Sequence, residues 1–353
     1  MLILPGLIDS HVHLREPGAT QKEDFETGTK AAIAGGYTTV LDMPNNPEPT
    51  ISQEALDKKI KLTSKRIYAE VGFHFGATTD SIEYFDTIKD KVFGLKVYMN
   101  HTTGTLLIED KENLEDIFVQ WPKNKVLMVH AEGPTLKTAI AFARRNGNKL
   151  HVCHVGLANE ISMIKKAKDD GLSITCETTC HHLFLTEKDA KSLGPFGMMR
   201  PPLVTKADQE ALWTGIADGT VDLIASDHAP HTKEEKYSPN PPNGVPGLET
   251  TLPLLLTAVN DGKLTMDDII RLCHTNPAKI FNIPHQPDTH VEVDPDKRYT
   301  ISDKRLYTKC GWTPFAGKSV IGRVKKVVLR GKVVYDNGQI VGNPQGKVIY
   351  PKT

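Results

Sequence analysis

Eight short runs of apolar and β-branched residues, each followed by a longer helical pattern, constrain this chain more than any other feature. They are Leu7–Leu14, Tyr37–Met43, Ala69–Phe75, Val92–Met99, Val126–His130, Leu150–Val155, Leu172–Thr178 and Val221–Ser226. Between them lie segments such as Phe25–Ala34, Gln53–Ser64, Pro134–Asn146 and Asn159–Asp169. In the last of these, Ile161, Ile164 and Ala167 recur at helical spacing and share one face. Strands alternating with helices imply a parallel sheet. Eight such units imply a closed (β/α)8 barrel of the TIM type, an α/β fold. The rival, an open doubly wound sheet, expects a Gly-rich phosphate loop after its first strand. Here that strand is followed by HVHLREPG (11–18), which is not one.

The tail changes character. From Tyr299 onward short strands alternate with Gly turns, and Asn337-Gly338 between Val333–Tyr335 and Gln339–Val341 is a hairpin signal. The stretch Pro284–Lys297 is rich in Pro and Asp and reads as an ordered crossing segment. The expected organisation is a barrel over 1–284 and a small β extension over 285–353 that packs on it. With little chain ahead of Leu7, that extension is expected to come mainly from the C-terminal residues.

Lys and Arg number 43, as do Asp and Glu. Zero net charge argues against nucleic acid or an anionic membrane as a partner held by bulk positive charge. No stretch approaches the roughly 18 apolar residues of a membrane span. The N-terminal run is broken by Pro5, Gly6 and Asp9 and lacks a basic start, so it does not read as a secretory signal. Five Cys (Cys153, Cys176, Cys180, Cys273 and Cys310) include no CxxC pair. They suit a reducing compartment, and the cytoplasm is the expected location.

The 14 His are the compositional feature that bears on chemistry. Catalytic groups of such barrels sit at the C-terminal ends of the strands. His11 and His13 close the first run, and a spacing of two on a strand puts both imidazoles on one face. A chance pair at a strand end is the competing explanation. His130, His154 and Asp227 close the fifth, sixth and eighth runs. A lone His in such a place is more often a satisfied core residue. Four His and one Asp at the strand ends of one barrel are hard to explain that way. They suit Zn, Fe, Mn or Ni, with Zn the default for hydrolysis. Lys96 lies between Leu95 and Val97 on the fourth run, where an ammonium is costly. A neutral amine there can react with carbon dioxide to give an anionic carbamate able to bridge two metal ions. A buried ion pair and a Schiff-base lysine are the alternatives, and the residues alone rank the ion pair first.

The motifs DSHVHLREPG (9–18), MPNN (43–46), GLKVY (94–98), VHAE (129–132), CHV (153–155) and SDHAPHT (226–232) resemble the dihydroorotases of the amidohydrolase superfamily. So do CHHLFL (180–185), PGLETTLPLLLTAV (246–259), NPAKIF (276–281) and the segment 312–335. The likeness covers nearly the whole chain. It is strongest to the dihydroorotase domain of the animal multifunctional pyrimidine-synthesis protein. The resemblance implies a two-zinc site, with His11, His13 and Asp227 on one ion and His130 and His154 on the other. A carboxylated Lys96 would bridge them, and Asp227 would move the proton between attacking water and leaving nitrogen. It further implies a third zinc position at Cys153 and Glu177. Cys153 neighbours His154 on a strand, however, and is expected to point the other way; a small buried Cys explains it equally well.

The reaction implied is the reversible cyclisation of N-carbamoyl-L-aspartate to L-dihydroorotate in de novo pyrimidine biosynthesis. Arg15, Asn45 and His231 match the family's contacts to the substrate carboxylate. Arg200 matches a contact to the ring or ureido group, and the backbone at Pro246 and Gly247 is expected to contribute. A planar guanidinium suits a carboxylate. The competing explanations are an exposed salt-bridging Arg15, a turn-forming Asn45 and a surface Arg200. His182 and His228 are expected to orient other groups, and His74, His101, His151, His181, His274, His285 and His290 receive no role. Thr102 matches the family's closing loop, but Thr103 stands where an aromatic is expected, so the closed lid should pack differently. The resemblance also implies a homodimer and association with aspartate transcarbamoylase. Allantoinases and dihydropyrimidinases share the barrel and its metal ligands, but their substrates lack the carboxylate that Arg15 is placed to hold. A non-catalytic barrel relative should lack several of the six ligands, and none is missing.

Overall fold

The computed structural model describes residues 1–352. After β1 (Leu2–Pro5), the barrel strands are β2 (Leu7–Val12), β3 (Tyr37–Asp42), β4 (Glu70–Phe73), β5 (Phe75–Gly76), β6 (Leu95–Tyr98), β7 (Val126–His130), β8 (Lys149–Val152), β9 (Ile174–Thr179) and β10 (Leu223–Ala225). All neighbours pair in parallel, in the order β2-β3-β4 and β5-β6-β7-β8-β9-β10. β4 and β5 are one run broken at His74. The His74 N–H donates to Asp42 O and the Phe75 N–H to Gly94 O, each at 3.0 Å. The chain thus passes from one neighbouring strand to the next. The cylinder closes where the His13 N–H donates to His228 O at 2.8 Å, beside a parallel bridge from Val12 to His228. Every residue of β2, β3 and β4 is buried, as expected of parallel strands covered on both faces.

The helix after β2 turns one apolar stripe to the core. Phe25–Ala34 starts where the Asp24 side chain accepts the Thr27 N–H at 2.9 Å, and it buries Phe25, Ala31, Ala32 and Ile33. Among the described residues, no helix is long and apolar enough to cross a membrane.

The β extension is a five-stranded antiparallel sheet. It contains β11 (His290–Thr300), β12 (Ser319–Leu329), β13 (Lys332–Asp336) and β14 (Gln339–Ile340), in the order β1-β11-β12-β13-β14. Two expectations change. β11 begins inside the stretch read as a crossing segment, because Val291 and Val293 alternate into the core while Asp294 to Arg298 are accommodated in a bulge. The sheet also takes an edge strand from the N-terminus, since Leu2–Pro5 pairs antiparallel with His290–Val293 and buries Leu4. The sheet therefore crosses the division at 284/285. The hairpin forms as read: Asp336 pairs with Gln339, and Asn337 and Gly338 adopt φ of 49° and 97°. The extension is docked on the barrel helix Leu248–Asn260, where the Ile321 N–H donates to Thr257 Oγ1 at 2.9 Å.

Candidate active site

At the C-terminal mouth of the barrel, six side chains converge. His11 and His13 leave β2 on one face, with ring centroids 5.3 Å apart. His130 is the last residue of β7, His154 follows β8, Asp227 follows β10 and Lys96 lies within β6. All are buried. His13 Nε2 lies 3.0 Å and His11 Nε2 3.4 Å from Asp227 Oδ1, while His130 Nδ1 lies 2.9 Å from His154 Nε2. His11, His154 and Asp227 each present a donor atom within 4.8 Å of the others. His130 Nε2 and His154 Nδ1 are buried without a hydrogen-bond partner. Burial lowers both His130 and His154, which leaves them neutral, the form that binds a metal. Burial and Lys96 push His11 down as well, but the carboxylates of Glu177 and Asp227 outweigh them and raise it to about 10. The carboxylates here call for a cation among neutral imidazoles. This donor set fits a metal ion.

Lys96 is fully buried, and its Nζ lies 2.9 Å from Cys153 Sγ and 5.3 Å from the centre of the Tyr98 ring. It makes no ion pair among the described residues, so the salt bridge that the residues alone ranked first does not form. Cys153 also departs from expectation. β8 ends at Val152 and His154 adopts φ of 36°, so the strand alternation stops and both residues face the interior. Cys153, His11 and Glu177 form a second group of donors within 4.8 Å. Glu177 contacts His11 Nδ1 through one oxygen and lies 3.2 Å from His151 Nε2 through the other. Burial raises Glu177, yet these imidazoles hold it well below the usual carboxylate range. His151, given no role from sequence, therefore anchors Glu177.

On the outer side, Arg15 is buried, with φ of 62°, and donates from Nε to Pro230 O at 3.1 Å. Its Nη2 lies 3.1 Å from His231 Nε2. Among the described residues, no carboxylate lies within ion-pair distance of it. Asn45 Oδ1 lies 2.7 Å from His13 Nδ1, and its Nδ2 donates to Thr103 O at 2.8 Å. The loop of Thr102 and Thr103 is thereby drawn over the cleft. Thr103 Oγ1 donates to Asn243 O at 3.2 Å, a polar latch where an aromatic was expected. The space left in the cleft is about 30 Å³, and Arg200, exposed on its outer side, also lines its wall.

Pro246 and Gly247 do not line this cleft; Asn243 and Gly244 do. A parallel bridge from Val245 to His228 carries Pro246 and Gly247 behind the barrel mouth. There the Gly247 N–H donates to His228 Nδ1 at 3.2 Å, and a Cβ on Gly247 would meet Ser226 O at 2.8 Å. Gly247 thus supports the strand end that bears Asp227. Tyr98 and Asn243 are lining residues that sequence reasoning missed; Tyr98, two beyond Lys96 on one strand, carried a usable signal. His182 lies behind the wall, with Nδ1 2.9 Å from Thr179 Oγ1.

Because one neutral hydrogen bond holds the latch, Thr103→Val is expected to raise KM only about two- to fivefold. Steady-state kinetics on the variant check this, and a change beyond about twentyfold would assign Thr103 a direct substrate contact.

The sequence profile of the amidohydrolase family matches residues 2–334. This chain belongs to that family. Within it, the chain groups with proteins named dihydroorotase. It is 45% identical over 345 residues to the multifunctional protein CAD of Squalus acanthias, matching 98% of this chain; the chain spans 15% of that protein's length. It is 35% identical over 371 residues to the dihydroorotase of Pyrococcus furiosus, covering 99% of this chain and 86% of that enzyme. Among solved structures, an L-hydantoinase from Arthrobacter aurescens superimposes with a TM-score of 0.93 at 24% identity, covering 99% of this chain and 89% of that one. An inactive dihydroorotase-like domain of a CAD-like protein from Chaetomium thermophilum superimposes at 0.85 and 27% identity, covering 99% of each chain.

Proposed function

We propose that this chain is a zinc-dependent dihydroorotase that interconverts N-carbamoyl-L-aspartate and L-dihydroorotate. The observation that carries the reading is Arg15: a buried guanidinium without a carboxylate partner, opening onto the same cleft as the metal-ligand cluster. Asp227, Asp42 and Glu235 favour its charge from a distance, but with no carboxylate in contact the fork is left open to an anion. Cyclic amides without a carboxylate have nothing to offer it.

His11, His13 and Asp227 would hold one zinc ion, His130 and His154 a second, with Lys96 as its carbamate shared between them. Cys153 and Glu177 would serve a third position. When bound, such ions supply a nucleophilic water near neutral pH and polarise the scissile carbonyl. The protein's own groups do the rest. Arg15, Asn45 and His231 hold the substrate carboxylate, and Arg200 meets the ring edge. The Asp227 carboxylate takes a proton from the attacking water and returns it to the ring nitrogen as the C–N bond breaks. The Thr102–Thr103 loop excludes bulk water. The same reading makes the chain a homodimer in a cytoplasmic setting, working beside aspartate transcarbamoylase; its likeness to a multifunctional protein supports the last of these.

The test is a substrate panel. Purified zinc-loaded protein should interconvert carbamoyl-aspartate and dihydroorotate in both directions. Faster turnover of allantoin or dihydrouracil would replace the assignment, and no turnover of any of them would place the chain with inactive relatives.

A further inference from the structure

We infer that the junction between the β extension and the barrel holds a second ligand site, built for a small aromatic anion. A cavity of about 400 Å³ lies there, against about 30 Å³ left in the cleft. Pockets that hold small molecules run from roughly 300 to 1,000 Å³. Both parts of the fold supply its walls. Glu249 and Pro253 come from the barrel helix Leu248–Asn260, Tyr299 from β11, Arg323 from β12 and Tyr335 from β13. No residue lines both this cavity and the cleft.

Arg323 sets the charge of the occupant. Its guanidinium is half-buried and lies 5.9 Å from the centre of the Tyr299 ring. Asp294 stands opposite it on β11, but that carboxylate turns into the bulge and accepts the Asp296 N–H at 3.3 Å. Among the described residues, Arg323 has no ion pair and no side-chain hydrogen bond, so its fork is open to a charge-assisted, bidentate partner. Glu249, the one carboxyl group in the lining, does not cancel it. Glu249 accepts the Tyr307 N–H at 2.9 Å and the Thr308 N–H at 3.0 Å, and burial raises it to about 8, which leaves it largely protonated at neutral pH. Lys304 and Arg305 add two exposed cations to the lining. Their neighbour Asp303 is engaged elsewhere, accepting the Thr313 N–H at 3.1 Å. The two tyrosines give the occupant its ring. Neither hydroxyl has a hydrogen-bond partner among the described residues, and burial raises both to about 12, so they stay protonated and can donate. With Pro253 and Val324 as apolar wall, a planar ring can lie against the tyrosines while its charged group meets Arg323.

Isothermal titration of the purified protein tests this, with benzoate, phenyl phosphate and phenol as probes. Arg15→Ala separates the two places where an anion could sit. At least one of the two anions should bind one per chain, about tenfold or more tighter than phenol, in the parent and in Arg15→Ala alike. Either anion supports the site, and the tighter one names its source, a phosphate ester or a carboxylate. Arg323→Met should weaken that binding about tenfold or more. Lys304→Glu combined with Arg305→Glu changes only exposed positions, so the fold is kept, and should weaken it about fivefold. Unweakened binding in both of these variants overturns the inference, and so does phenol binding as tightly as either anion. Binding that is lost in Arg15→Ala and kept in Arg323→Met places the anion in the cleft and removes the second site, as does no binding below about 10 mM. None of these readouts involves turnover, so they stand whether or not the chain acts on dihydroorotate.

Discussion

Lys96→Met is expected to lower kcat/KM by about 10³-fold or more and to reduce bound zinc from about two ions to fewer than one per chain. Methionine keeps the unbranched stem at a fully buried position and removes only the nitrogen. In the parent, that nitrogen has Cys153 Sγ at 2.9 Å and the Tyr98 ring for company, and no carboxylate. No carboxylate touches the nitrogen there, so nothing holds it as one half of an ion pair. Addition of the neutral amine to carbon dioxide, with loss of one proton, turns the same atom into an anion facing four imidazoles. The charge then complements the site. Since Lys96 has no ion pair to lose, the fold should survive its removal. The metal-free variant is expected to melt within a few degrees of the metal-free parent. Metal analysis, steady-state kinetics and thermal melting on both proteins check the three parts. Full activity with normal zinc content in Lys96→Met would exclude the bridging role.

The same burial explains what could be read from the chain and what could not. Parallel barrel strands are covered on both faces, so they stand out as continuous apolar runs, and the polar residues closing those runs mark the mouth of the barrel. His11, His13, His130, His154 and Asp227 were legible for that reason. β11 was not, because Pro295 and its acidic neighbours look like a breaker until a bulge is seen to absorb them. Nor was the placement of Leu2–Pro5, whose partner strand lies near the other end of the chain. The orientation of Cys153 depended on where β8 ends and on a positive φ at His154, neither of which follows from spacing. His151 reads as a core residue between Leu150 and Val152; only the neighbouring strand, with Thr175 opposite it, brings it to Glu177. Contacts made by a folded loop are the least legible, as Pro246 and Gly247 show by giving up the cleft to Asn243 and Gly244.

Arg15→Ala is expected to raise KM for both carbamoyl-aspartate and dihydroorotate by roughly 30- to 150-fold, with kcat changed less than about fivefold. A charge-assisted contact of this kind contributes about 2–3 kcal/mol, and it is made to a carboxylate that does not react. Such a contact is as strong in the ground state as in the transition state, so its loss appears in KM rather than kcat. Arg15→Lys should recover only part of the loss. The backbone at Arg15, with φ of 62°, and its Nε contact to Pro230 O aim a planar fork at the cleft; an ammonium on a shorter reach cannot reproduce it. Zinc content should match the parent, which separates this variant from Lys96→Met. Measuring KM and kcat in both directions for the two variants is the check. A fall in kcat with KM unchanged would move Arg15 from carboxylate binding to the chemistry of ring opening. Equal losses on dihydroorotate and on an uncharged cyclic amide would instead tie Arg15 to the structure of the barrel mouth, because only an anionic substrate has a charge for the guanidinium to hold.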